Sequence, residues 1–416
     1  MKHSILFLTA FAAGLAFGGS AIRVTFPAER QRLPNVSETY LMGAVEPGRT
    51  EFLYVNGVTT DVHRTGAFIT MVPVVPGTNE VTLFRGRDRL VRKFIVAEPA
   101  KPAPPPRPWT PIVSADDPRL GEEGAWRTTG TLFANRVREQ PDGGDNLHYL
   151  PTGFVLRGAE VKGTSWVAVW LENRIGYLPK ARLERRPAMA LPSRGLMAPD
   201  PLQGFPDRPP YGKRPEEVRI CLDPGHGGSD PGSLSPHGWF EKDVNLLQAQ
   251  AIRSALEKAG FQVMMTRGGD TFEDLLARPR IAYEAHVDAF ISVHHNSTAP
   301  ARDPRVARHT TTYASNEKGL PLAKCIQKHV AKVMEPVKDV GAQMKSLAVC
   351  RNPAIPSCLM EVDFINLPDG EAESWNPERQ RKVAEAVVYG VLDWMTSPPS
   401  APAPVPTTAA SETEEP

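Results

Sequence analysis

Asp223-Pro224-Gly225-His226-Gly227-Gly228-Ser229-Asp230-Pro231-Gly232 follows the short apolar run Val218-Arg219-Ile220-Cys221-Leu222. A strand that empties into a glycine-rich turn is how an open α/β sheet begins its ligand-binding edge. Such a turn could cradle phosphate, but no Gly-Lys-Ser/Thr is present, and prolines spoil a GxGxxG dinucleotide fingerprint. A histidine centred in the turn points to other chemistry. Its small neighbours leave the imidazole open to a ligand or a metal.

Working outward, residues 243–259 read as a helix, with Val244, Leu247, Ala251, Ile252, Ala255 and Leu256 near helical spacing and Gly260 as the stop. Residues 262–266 and 289–293 read as strands, 320–334 and 377–395 as helices, and Leu359-Met360 lies in a further strand. Strands alternating with helices predict an α/β domain over 216–397, with a mostly parallel sheet flanked by helices. His226 and His294 (in Ser292-Val293-His294-His295-Asn296) then fall at carboxyl ends of strands, and Glu241 opens the first long helix. Two histidines and a glutamate are a known catalytic zinc set, with one position open to water. Glu361 ends another apolar strand, where a carboxylate could serve as general base. Taken singly, each residue also has a plain structural reading: a core histidine, or a glutamate paired with a helix dipole.

The runs 223–232, 241–245, Thr266-Arg267, 292–296 and Glu361-Val362-Asp363-Phe364-Ile365-Asn366 occur in this order and spacing. Together they resemble the zinc-dependent N-acetylmuramoyl-L-alanine amidases, bacterial cell-wall enzymes. The resemblance covers about 216–397. It implies Zn2+ held by His226, Glu241 and His294, with Glu361 catalytic. It also implies hydrolysis of the amide joining N-acetylmuramic acid to L-alanine, and peptidoglycan as the partner. His295 falls on a variable position, and His237, His286, His309 and His329 match no ligand. Asp223 and Asn296 are candidates to orient ligands, or simple turn and cap residues. Where the family usually has glycine, this chain has Asp363, whose carboxylate could raise the pKa of Glu361 or face solvent. Some members carry a plugging helix in the segment between Asn296 and Thr310. Only 13 residues lie there, too few for it, and an activator protein stays an open partner. Two other readings share parts of this pattern: a non-catalytic peptidoglycan-binding protein, and a zinc peptidase cutting within the stem peptide.

The whole chain has 416 residues and a formal net charge of +1, which lacks the basic excess of a nucleic-acid binder. Prolines concentrate in 99–111, 187–215 and 398–416, predicting linkers at 99–112 and 187–215 and a disordered tail at 398–416. Lys2 and His3, the apolar run 5–17 and Gly19-Ser20-Ala21 predict a signal peptide over 1–21 and export, with no permanent membrane span after cleavage. Residues 22–98 read as a β-sandwich, with Asn56-Gly57 as a tight turn and Pro73 demoting 67–75 to an edge or a bulge; they resemble small immunoglobulin-like modules. Residues 113–186 resemble bacterial SH3-like barrels, with Gly176-Tyr177 where that family has Gly-Trp, and Trp166 and Tyr177 as either core or ligand platform. Cys221, Cys325, Cys350 and Cys358 form no CxxC pair, and could form one or two disulfides.

Overall fold

The computed structural model describes residues 21–100, 109–187 and 210–396, apart from 131–134, 142, 151, 172–173, 211, 317 and 353. The predicted signal peptide, most of both linkers and the tail lie outside the described residues.

The N-terminal domain is two sheets over one core. Strands Ile22–Phe26, Glu38–Val45 and Ala67–Pro73 form a three-stranded antiparallel sheet. A five-stranded sheet runs Arg32–Leu33, Asp88–Val96, Gly77–Arg85, Leu53–Val55, Val58–Thr60. Leu41, Leu53, Phe68, Leu83 and Phe94 fill the space between them. Asn56-Gly57 makes the expected hairpin turn, both residues at positive φ (49° and 82°). Ala67–Pro73 is an edge strand, ending at its proline.

Residues 120–185 form a seven-stranded antiparallel sheet. The domain starts earlier than expected. Ile112 is 3% exposed and donates its N–H to the Tyr177 hydroxyl at 3.2 Å, and Trp109 meets the Tyr177 ring edge-on. Apolar burial draws 109–112 out of the proposed linker, and Tyr177 is core.

The C-terminal domain holds a six-stranded mixed sheet in the order Gln262–Met265, Arg219–Pro224, Ala289–Asn296, Ser357–Phe364, His309–Ala314, Lys338–Met344. Four neighbouring pairs are parallel, and the pair Ser357–Phe364 with His309–Ala314 is antiparallel. Helices Glu241–Lys258, Gly319–Met334 and Pro377–Thr396 cover one face, closing on Ile220, Leu222, Ile291, Val293, Met360, Ile326, Val387 and Trp394. The central strands therefore read as continuous apolar runs ending in polar residues, as strands buried on both faces do. All four cysteines are free thiols, so no disulfide forms among them. No helix of the described residues is long and apolar enough to cross a membrane.

Candidate metal centre

Three adjacent parallel strands bring the site together. Arg219–Pro224 delivers the glycine-rich turn, Ala289–Asn296 delivers His294, and Ser357–Phe364 delivers Glu361. His294 and Glu361 are directly paired in register. Glu241 enters as the first residue of its helix, where the positive end of the dipole favours a carboxylate.

His226 Nε2 lies 3.2 Å from Glu241 Oε1, and His294 Nδ1 lies 3.1 Å from the same oxygen. One ligand atom from each residue falls within 4.8 Å of the others. Zinc bonds of about 2.0–2.1 Å in a tetrahedron put neighbouring ligand atoms about 3.3 Å apart. The donor set and its spacing fit such an ion.

The electrostatics point the same way. Burial alone would raise the Glu241 carboxyl and lower the His226 imidazole. Their mutual hydrogen bond and charges outweigh it, with His294 acting on Glu241 and Asp230 on His226. Glu241 is held well below the carboxylate range and His226 is raised to about 9. A buried carboxylate that draws positive charge onto its neighbours is an environment for a cation.

The turn is shaped around the histidines. His226 has φ 61°, a left-handed conformation costly for a side chain with a Cβ, so the surrounding turn must hold it there. A Cβ on Gly225 would sit 2.1 Å from the His294 ring. Gly225→Ala should therefore displace His294 and lower metal affinity sharply while the apolar core stays intact; metal titration of the purified variant reads this.

Two arginines grip the turn from behind. Arg267 donates to the carbonyls of Pro224, Gly225 and Lys242. Arg278 donates to Pro224 and His226 carbonyls and to Asp223 Oδ1. Asp223 is fully buried and also accepts from Thr266 and Ser292. Through Arg278 it is tied to the carbonyls of Pro224 and His226. Asn296 caps its own loop, accepting the Ser297 N–H.

Sequence reasoning missed Arg278 and the role of Asp230. Asp230 Oδ2 lies 2.8 Å from His226 Nδ1, fixing the tautomer that leaves Nε2 free to bind. Its place within the quoted turn was the available signal. Asp230→Asn should weaken metal binding by roughly 10–100-fold, as such partners typically do; equilibrium dialysis against zinc measures it.

Among the described residues, no other histidine ring joins the metal set. His295 is buried, and its Nδ1 faces Asn245 Oδ1 at 2.9 Å. Burial lowers it to about 4, leaving it neutral, and Asn245 in turn donates to Glu241 Oε1. His237 is bound to Glu371, and His329 to Asp393.

Glu361 carries one buried carboxylate oxygen, Oε2, that has no hydrogen-bond partner among the described residues. Burial raises the carboxyl to about 7; His294 opposes the shift and Glu241 adds to it. Asp363 does not face solvent. Its carboxylate is buried in a two-pronged ion pair with Arg308, at 2.9 and 2.7 Å, and accepts the Phe364 N–H. The guanidinium, not water, satisfies the Asp363 carboxylate. The segment after His294 holds only the four-residue helix Pro304–Ala307, so no long plug lies there.

The family model for N-acetylmuramoyl-L-alanine amidase matches residues 220–393. A germination-specific N-acetylmuramoyl-L-alanine amidase of Bacillus subtilis is 31% identical over 193 residues, covering 42% of this chain and 79% of the relative. The N-acetylmuramoyl-L-alanine amidase AmiA of Escherichia coli is 26% identical over 217 residues, covering 42% of this chain and 75% of the relative. A solved N-acetylmuramoyl-L-alanine amidase from Clostridium difficile 630 is 30% identical, covering 43% of this chain and 97% of that one, with a TM-score of 0.41.

Proposed function

Because the chain belongs to the family of N-acetylmuramoyl-L-alanine amidases, which hydrolyse peptidoglycan, we propose that it works through a zinc centre formed by His226, Glu241 and His294, with Glu361 as the proton carrier. The observation that carries this reading is the pairing of His294 with Glu361 on adjacent strands, beside Glu241 Oε1, which lies 3.1 Å from His294 Nδ1 and 3.2 Å from His226 Nε2. Zinc, when bound, supplies Lewis acidity and makes water easier to ionise at neutral pH.

The chain's own residues do the rest. Asp230 and Asn245 fix the orientation of His226 and Glu241. Arg267 and Arg278 hold the turn against the sheet. Glu361, with its carboxyl raised to about 7, is half-charged near neutral pH, where a group can both take and return a proton. It accepts the proton of the attacking water on its carboxylate and returns it to the nitrogen of the departing L-alanine. The scissile bond is the amide between the lactyl group of N-acetylmuramic acid and L-alanine.

Under this reading the first domain is an immunoglobulin-like sandwich and the second an SH3-like barrel. The chain is exported to the cell envelope, with the segment 1–21 as its signal. Incubating the full chain and zinc with purified peptidoglycan tests the bond cleaved. Mass spectrometry should find free stem peptides beginning with L-alanine. Cuts inside the peptide would overturn the choice of bond.

A further inference from the structure

The N-terminal sandwich does not stand apart from the site. Its three-stranded sheet buries one face in its own core through Val24, Leu41, Val45, Phe68 and Val72. The alternate residues, which period-2 geometry points outward, meet the C-terminal domain, joined by Thr39 near the start of its strand and by the Thr65 carbonyl. They touch three segments, and each adjoins one of the residues just described.

The first segment precedes Glu241. Thr25 Oγ1 donates to the Pro236 carbonyl at 3.1 Å, and Arg23 donates to the His237 carbonyl. His237 Nε2 faces the Thr65 carbonyl at 3.2 Å. The second segment follows His294. Tyr40 donates its hydroxyl to the Thr298 carbonyl at 3.2 Å, and Thr39 donates to the Pro300 carbonyl at 3.1 Å. The third follows Glu361. Phe364 and Leu367 pack with Tyr40, Met42 and Ile69 in a shared apolar cluster.

We propose that the sandwich is a positioning element of the hydrolase: Thr39 and Tyr40 fix the loop after His294, and Arg23 and Thr25 fix the loop before Glu241. The inference rests on the hydrolase reading above. The physical reason is that loop carbonyls turned away from water need donors, and here the donors come from another domain. His294 and Glu361 sit in sheet strands, so the sheet holds them without help. What the sandwich sets is the walls beside them, against which a bound polymer must align, and a small misplacement of such walls slows reaction.

Thr39→Val combined with Tyr40→Phe keeps the packing and deletes both hydroxyl donors. In the full chain, amide exchange over 297–303 should quicken. The ratio kcat/KM on peptidoglycan should fall roughly tenfold, the expected scale for losing two such bonds. Zinc content should match wild type, which separates positioning from loss of the centre. Should that variant misfold, Arg23→Met with Thr25→Val makes the same test on the loop before Glu241. Unchanged exchange, or faster exchange with unchanged kcat/KM, would overturn the proposal. Wild type assayed alongside keeps the two readings apart. An inert wild type contradicts the hydrolase, and with it the positioning of a reaction, whatever the exchange shows.

Discussion

Glu361→Gln should leave the protein folded and able to bind zinc, yet lower amide hydrolysis by roughly 10²–10⁴, the range a positioned general acid–base contributes. The substitution is nearly isosteric. It removes a buried carboxyl whose Oε2 has no partner among the described residues, so no donor there loses an acceptor. It also removes the proton-exchanging group that burial has tuned to about 7. The loss should appear in kcat, because a proton transferred only during the reaction contributes little to ground-state binding. Steady-state kinetics on peptidoglycan, with metal content measured on the same sample, checks it. A variant with full zinc and near wild-type kcat would remove Glu361 from the chemistry.

Glu241→Ala should have the other large effect, by a different route. Glu241 Oε1 is the common partner of His226, His294, Asn245 and the His295 N–H, and Oε2 accepts the Ser233 N–H. Deleting the carboxylate takes away a metal donor and leaves buried donors without an acceptor. Breaking a buried ion pair from one side typically costs about 3–5 kcal/mol. Zinc content should drop to background, hydrolysis with it, and the melting temperature should fall. Glu241→Gln separates the two effects, since it keeps hydrogen-bond partners for part of the set but offers the metal a neutral donor. It should recover stability more than zinc binding. Stoichiometric, tightly held zinc in Glu241→Ala would mean that the metal is held by other residues.

Much of the C-terminal domain was legible because its signals are local. The strand at 289–296 is mostly apolar up to His294, and the helix from Glu241 buries Val244, Ile252 and Leu256 at helical spacing, although Leu247 from the predicted stripe is exposed. The elements that escaped lack such patterns for physical reasons. Strand His309–Ala314 is threonine-rich and reads as polar, yet Thr310, Thr311 and Thr312 are buried; their β-branched shape suits a sheet and their hydroxyls find acceptors. Strand Glu38–Val45 shows no alternation, because its two faces pack on two different domains and seven of its eight residues are buried.

The site divides along the same line. His226, Glu241, His294 and Glu361 could be singled out because short motifs mark them, and the fold brings them to one sheet edge. Arg278 was not, since a lone arginine in a short helix carries no local sign that its partner is a buried aspartate 55 residues away. Asp363 was misread for the complementary reason. An acid with no basic neighbour in sequence suggests solvent exposure until Arg308, brought in from a separate segment, is seen to pair with it. The docking of the sandwich joins residues 258 and 261 positions apart, and no pattern within either segment announces it.

The most direct test pairs metal analysis with product identification on the full chain, for wild type and Glu361→Gln. The account predicts one zinc per chain in both proteins, with stem peptides beginning with L-alanine released by wild type alone and lost on chelation. Wild type that carries no zinc, or that releases the same products after the metal is stripped, would contradict a metal centre at His226, Glu241 and His294.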